Sequence, residues 1–342
     1  MTAMRILGVG SSLPQRVVLN AEIEALTGMP HGRIRELFGV DERRWSRGVE
    51  SADPPEGQRC SDLAAAAGAA ALADAGIDPA EVDLLVAVTT TPDCLNPPFD
   101  ALVARKLGLV GALGFTLSAP CTGVFRGTAL AEAMLASGRA RRALVVAAET
   151  LSPFFRFGPT IPKDHCLNSV LYADGAGAWV LGTEGTREPK IELLDIELAQ
   201  LDEEPGVMFP GMLSATPPSL ERFSSCDDLG YHDFRRVLAK GGRLAAEAAE
   251  RVMKKLGVGT DDVRFFVTHQ ATGNMHRIGA SYGLPPEKIP VNIDRVGNTV
   301  SASILLLLDE LKREGRLAAG DLLVLHTAES STWSSAGMAI RW

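Results

Sequence analysis

Short apolar runs alternate with longer helical stretches along the chain. Residues 6–9, 83–88, 113–117 and 143–147 read as strands, the second ending in the polar run Thr89-Thr90-Thr91. The stretches between them carry helix signals. Asn20 can cap a short helix, residues 33–38 stop at Gly39, and Ser61-Asp62 opens an alanine-rich helix that stops at Gly76. Further helices cover residues 99–106 and about 127–137. The second half repeats this order. A helix over 245–256 stops at Gly257, and a strand over 263–267 runs into Thr268-His269-Gln270. A helix then runs to Gly283, and residues 289–292 read as a short strand. Val296-Gly297-Asn298-Thr299 opens a helix to about residue 313, and residues 322–325 form a last strand.

The two series keep register. Gly257 follows Gly76 by 181 residues, and Val263 follows Val82 by the same interval. Gly138 follows Cys121 by 17 residues, as Gly315 follows Asn298. Matching order, spacing and helix-ending glycines identify an internal duplication of an α/β unit, with halves 1–185 and 186–342.

The duplication gives three polar residues a common address. Cys121, in Ser118-Ala119-Pro120-Cys121-Thr122-Gly123-Val124, sits between a strand and a helix. Free backbone N–H groups and the positive end of the helix dipole favour a thiolate there. Taken alone, this stretch fits a buried structural cysteine equally well. Asn298 opens the equivalent helix, and His269 follows a strand at its C-terminal end, where ligands bind in sheets of this kind. Singly, Asn298 reads as a turn or cap residue and His269 as structural. Together, at equivalent junctions, they form a candidate catalytic set. His276 and His326 belong to no motif and read as structural.

Composition narrows the function. The chain has 342 residues, 46% hydrophobic and 22% charged, enough for a large core. A net charge of −8 argues against general nucleic-acid binding. The five cysteines are scattered and contain no C-x-x-C pair, which argues against a disulfide framework and a structural zinc site. The Gly-broken N-terminus reads as a strand rather than a signal peptide, and Asp309-Glu310 stops the apolar run at 304–308. The expectation is a cytoplasmic protein with no membrane span.

Over nearly its whole length the chain resembles the ketoacyl-ACP synthase III group of the thiolase superfamily. The matching pieces are Thr89-Thr90-Thr91-Pro92-Asp93, Ala119-Pro120-Cys121-Thr122-Gly123, Tyr172-Ala173-Asp174-Gly175-Ala176-Gly177-Ala178, His269-Gln270-Ala271, Asp294-Arg295-Val296-Gly297-Asn298-Thr299 and Thr332-Trp333. The resemblance implies a five-layered α-β-α-β-α fold, a homodimer and a catalytic triad of Cys121, His269 and Asn298. It also implies an acyl thioester of acyl carrier protein (ACP) or CoA as substrate, with no metal and no redox cofactor. A thiolate attacks such a thioester, and two neutral donors aimed at one oxygen suit a developing enolate.

Four features depart from the family pattern. Arg33 and Leu37 stand where CoA-using members carry Trp and Arg, which favours a carrier-protein donor. Asn96 stands where a Phe often reaches across the dimer into the acyl pocket, which favours an acyl group with a polar atom or a reshaped pocket. Ala328-Glu329-Ser330-Ser331 replaces the glycine-rich loop that supplies an oxyanion donor, making Ser330 and Ser331 candidate substrate contacts. Residues 151–167 form a loop longer than the family's, which either shapes a specialised pocket or reflects ordinary loop variation. Thr272 stands where the His-Gln-Ala motif often continues with Asn, and residues 201–233 either line the entrance or cover the core.

The leading expectation is an acyl-Cys121 enzyme of specialised, polyketide-like metabolism that condenses with malonyl-ACP. A close alternative passes the acyl group to the hydroxyl or amine of a small-molecule acceptor, with His269 as general base. A non-catalytic partner subunit is disfavoured by retention of all three residues. A papain-like hydrolase is disfavoured by the absent C-G-[SA]-C-[WY] signature and by the duplicated order.

Overall fold

The computed structural model describes residues 4–47, 58–155, 157, 168–183, 189–197, 204–208 and 231–342. Most of the loop at 151–167 and of the stretch at 201–233 therefore lies outside the described residues, as do Cys166 and Cys226.

The strands in chain order are β1 (Met4–Ser12), β2 (Arg16–Leu19), β3 (Glu42–Trp45), β4 (Leu84–Val88), β5 (Leu113–Leu117), β6 (Arg142–Glu149), β7 (Gly175–Gly182), β8 (Lys190–Glu197), β9 (Val207–Met208), β10 (Tyr231–His232), β11 (Val263–Thr268), β12 (Leu322–Glu329) and β13 (Ser334–Arg341). The main helices are α1 (Asn20–Thr27), α2 (Arg33–Phe38), α3 (Cys60–Ala75), α4 (Phe99–Leu107), α5 (Gly123–Ala136), α6 (Gly242–Leu256), α7 (Met275–Ser281) and α8 (Ser303–Arg313). Nine strands join in the order β11-β12-β13-β8-β1-β7-β6-β4-β5.

The sheet carries the duplication in its directions. In the first half β4 and β6 pair parallel, then β6–β7 and β7–β1 pair antiparallel. In the second half β11 and β12 pair parallel, then β12–β13 and β13–β8 pair antiparallel. The halves meet where β1 pairs antiparallel with β8 at Met4↔Ile191 and Arg5↔Lys190. The turns also match. Short 3₁₀ segments at Pro79–Glu81 and Thr260–Asp262 stand the same 181 residues apart, each after a left-handed glycine, Gly76 or Gly257.

Helices complete five layers. α3 and α4 cover one outer face, where Leu63, Ala67 and Ala71 pack on Leu85, Leu144 and Val180. α6 covers the opposite outer face, where Ala249 and Val252 meet Phe266, Val324 and Ala339. Between the two halves of the sheet lie α5 and α8, with Val124 and Leu305 in one apolar cluster with Val86, Val145, Phe265 and Leu325. Leu305, Leu306, Leu307 and Leu308 are all buried, as expected of a helix with core on every side. Close approach sets composition here. A Cβ at Gly177 of β7 would lie 2.5 Å from the Leu305 Cβ.

Residues 289–292 do not form the expected strand. Pro290 has no N–H to give a ladder, and the Gln270 side chain stands in for a neighbouring strand. Its amide nitrogen reaches Thr268 O at 3.0 Å and Pro290 O at 3.4 Å, and its oxygen accepts from Asn292 N at 3.0 Å. Nor does the Asn20 side chain cap α1, since it donates to Val40 O and accepts from Arg43.

Candidate active site

Cys121, His269 and Asn298 line one cavity of about 180 Å³ between the halves. Cys121 arrives on the link between β5 and α5. Its sulfur lies 3.5 Å from His269 Nε2. Burial pushes the Cys121 thiol up, the charges of Glu329 and Glu149 push it further, and its own backbone N–H opposes them weakly. The direction is opposite to the expectation drawn from the helix dipole. Removal from water and two nearby acids outweigh one helix end.

His269 follows β11 and is held on both sides. Its backbone N–H donates to His326 O at 3.2 Å, and Nδ1 lies 2.7 Å from the hydroxyl of Ser303, the first residue of α8. Burial lowers its pKa to about 4, with the Val300 backbone pulling weakly the other way, so the ring is neutral at ordinary pH. A hydroxyl at Nδ1 can accept from the ring or donate to it. Nε2 can therefore serve as a base or as a donor.

Asn298 is fixed by its backbone. Its N–H donates to Leu171 O at 2.8 Å, and its carbonyl accepts from Ala173 N at 2.9 Å. Its side-chain oxygen accepts from Val300 N at 2.9 Å, which leaves the amide donors for the cavity. The approach to it is strained. Gly297 has φ 82° and ψ 179°, a region that essentially only glycine adopts, and a Cβ there would lie 2.5 Å from the Ala173 Cβ. Val300, a β-branched residue, has φ 48°.

Two buried acids, Glu149 and Asp174, anchor loops of the first half. Glu149, at the end of β6, accepts from the hydroxyls of Thr90 at 2.8 Å, Thr91 at 2.9 Å and Ser301 at 2.8 Å. Burial still lifts it to about 7. This explains the threonine run after β4. Asp174 of the Tyr172–Gly175 motif is likewise structural: it accepts from Leu151 N at 2.7 Å, Ser152 N at 2.9 Å and Ser46 N at 2.6 Å.

The cavity wall is mostly apolar and partly aromatic. Phe38 lies 6.5 Å from Phe234, Phe234 stacks on His232 at 3.6 Å, and His232 lies 5.9 Å from Tyr172. Phe234 and His232 lie just ahead of α6, with a π turn over Val237–Gly241 between, and part of that turn also lines the cavity. Such turns often mark functional sites. Thr272 and Ser330 line the cavity, although the Thr272 hydroxyl donates to Phe38 O at 3.0 Å. Ser331 does not line it, and its hydroxyl instead donates to Glu329 at 2.9 Å. Asn96 is exposed on a surface loop and is not among the residues lining this cavity.

Sequence reading missed Ser303, His232, Phe234, Glu149 and Glu329. The hydroxyls Ser301 and Ser303 just after Asn298 were a usable signal for polar partners. His232 lies in the 201–233 stretch read as either entrance lining or core cover, and Glu329 in the Ala328–Ser331 segment read only as a loss of glycine; no pattern marked Phe234 or Glu149.

Comparison with known proteins bears on the same residues. Residues 253–342 match the family described as 3-oxoacyl-[acyl-carrier-protein (ACP)] synthase III C terminal, and residues 115–200 match 3-oxoacyl-[acyl-carrier-protein (ACP)] synthase III. The β-ketoacyl-[acyl-carrier-protein] synthase III of Cereibacter sphaeroides is 34% identical over 98% of both chains. The 3-oxopimeloyl-[acyl-carrier-protein] synthase of Rhodothermus marinus is 36% identical over 98% of this chain and 93% of its own. Among solved structures, AbyA1, a tetronic acid condensing enzyme, superposes with a TM-score of 0.88 at 28% identity, covering 99% of this chain and 100% of its own. The synthase III from Pseudomonas aeruginosa superposes with a TM-score of 0.84 at 30% identity, over 99% and 98% of the two chains. With its fold, its motifs and these relatives in agreement, the chain belongs to the 3-oxoacyl-[acyl-carrier-protein] synthase III family, of thiolase fold, and is an enzyme of the acyltransferase class.

Proposed function

We propose that Cys121 accepts an acyl group from a thioester and passes it on by decarboxylative condensation with malonyl-ACP. The observation that carries this reading is the meeting of Cys121, His269 and Asn298 in one largely apolar cavity. As Sγ attacks the thioester carbonyl, His269 Nε2 takes the thiol proton and returns it to the departing thiol. In the second step the malonyl thioester loses carbon dioxide. With His269 exchanged to its Nε2–H tautomer, that N–H and the Asn298 amide hold the enolate oxygen; the enolate carbon attacks the acyl carbonyl, and Cys121 leaves as a thiolate that takes up one proton from solvent to restore the thiol. Ser303 serves both steps by fitting either tautomer of His269. No residue role here requires a metal or redox cofactor.

Several features support finer statements. Arg235, Arg236, Lys240 and Arg243 cluster on the helical stretch that lines the cavity, in a chain of net charge −8. This favours an acidic donor, a carrier protein or a CoA thioester, at that mouth. β5 is the last strand of the sheet, and the exposed apolar side chains Val110 and Leu113 lie just before it and at its start, which favours a homodimer built on that edge. Among the described residues no helix is long and apolar enough to cross a membrane. A cytoplasmic place in specialised metabolism remains our reading, on the departures at Asn96 and the Ala328–Ser331 segment.

A second reading keeps the acyl-Cys121 step and transfers the group to an alcohol or amine, with His269 as base on the acceptor. It is favoured by the polar His232 set in the aromatic wall, which fits an acceptor with hydrogen-bonding groups. Intact-protein mass after incubation with acyl-ACP and acyl-CoA thioesters tests both. An adduct lost in Cys121→Ala and cleared by malonyl-ACP with release of carbon dioxide supports condensation. Clearance only by an alcohol or amine supports transfer, and no adduct with any thioester overturns both.

A further inference from the structure

The segment that stands in place of a glycine-rich loop brings an acid into the core. Glu329 ends β12 and is 1% exposed. It accepts from the Thr122 backbone N–H at 3.3 Å and from the Thr122 hydroxyl, from Ser331 at 2.9 Å and from Thr332 at 2.8 Å. The Arg126 guanidinium lies 3.7 Å away. Thr122 directly follows Cys121 and is the N-cap of α5. The carboxylate thus rests on the open end of the helix whose positive pole would otherwise act on the Cys121 sulfur.

We infer that Glu329 is a positioning residue that cancels the helix field beneath Cys121, keeping the sulfur a thiol between turnovers and leaving its ionisation to His269. The purpose assigned here rests on Cys121 being the acyl-accepting nucleophile, whereas the electrostatic effect does not. His269, Glu149 and Tyr172 are the other titratable groups facing Cys121, and Arg126 faces Glu329. Glu329 touches both the N-cap of the helix that follows Cys121 and the Ser331–Thr332 turn. A thiolate on the cavity wall, where Cys121 is half-buried, would react with any electrophile entering the cavity. A thiol reacts only with a substrate held in line with His269. The raised thiol pKa from burial, Glu329 and Glu149 agrees with this arrangement.

The test is alkylation of Cys121 by iodoacetamide in the full-length protein across pH, read by peptide-resolved mass spectrometry. Glu329→Gln keeps the shape and removes the charge. It should lower the midpoint of the profile by about one pH unit and speed alkylation near neutrality about tenfold. Glu329→Asp should keep the wild-type midpoint. Arg126→Met, which strips the counter-ion, should shift it the other way, and it carries the test if Glu329→Gln does not fold. An unchanged midpoint in folded Glu329→Gln overturns the inference. So does a shift of the same sign in Glu329→Gln and Arg126→Met, the signature of a merely loosened loop. Acyl loading of the wild-type protein is measured separately. A shifted alkylation profile without any acyl adduct would leave the Glu329 effect standing and remove the acyl-transfer reading.

Discussion

The two helix starts that meet at the site are equivalent in the duplication and opposite in character. At the start of α5 the backbone is relaxed, with Thr122 at φ −88° and ψ 0°, and the polar surroundings are carboxylates. At the start of α8 the backbone is strained at Gly297 and Val300, and the side chain delivered is a neutral amide. The difference fits the roles proposed for the two residues. A nucleophile needs its ionisation controlled, which charges accomplish. A donor to an oxyanion needs its position fixed, which strain and backbone pinning accomplish.

Removing the nucleophile tests the comparison hardest. Cys121→Ala should abolish the acyl adduct and lower turnover by about 10³-fold or more, measured by intact mass and product assay. Asn298→Ala should leave acyl loading nearly intact and slow condensation about 10²-fold. Equal loss in both steps would mean that the second helix start shapes the nucleophile as well. Gly297→Ala should lose more than about 3 kcal/mol of stability in urea unfolding, because a Cβ there collides with Ala173 and Arg43. Gly315→Ala, left-handed with open space around it, should lose only about 1 kcal/mol.

A pH measurement separates the halves further. His326 of the second half stands, by the paired registers, where the first half has Val146. Burial lowers its pKa to about 4, with Nδ1 on Ala245 O and Nε2 without a partner among the described residues. Its folded pKa lies below its unfolded value near 6.5, so its contribution is present above that pH and lost as pH falls toward about 4. Stability curves of wild type and His326→Gln should therefore converge on acidification, by up to about 3 kcal/mol. The smallest kinetic effect expected is that of Ser303→Ala, about tenfold on both acyl loading and condensation.

Much of this was legible in the sequence because the signals were local. Gly39, Gly76 and Gly257 mark helix ends, and residues 113–117 form a strand with the expected bounds. The junctions carrying Cys121, His269 and Asn298 followed from register alone. What escaped depends on neighbours distant in sequence. β7 is hard to read as a strand because its glycines and alanines answer to the close packing of α8, not to strand propensity. The short strand at 289–292 failed because one side chain, Gln270, replaces a ladder. The Ala328–Ser331 segment read as a loss of glycine, whereas the gain of Glu329 appears only once β12 lies beside α5. The helix-dipole argument at Cys121 erred for the same reason, since local geometry cannot count the acids that other strands bring.

The middle layer also bears on how the chain is divisible. α5 and α8 belong to different halves, yet each is buried against strands of both halves. Cutting between β7 and β8 would give two fragments, each with half a reaction centre and one wide apolar face uncovered. Neither should behave as an independent domain, and co-expressed fragments should recover the nucleophile and its donors only by reassembling. Duplication here made one indivisible machine from two copies of a unit, and the seam that joins them is where the proposed chemistry sits.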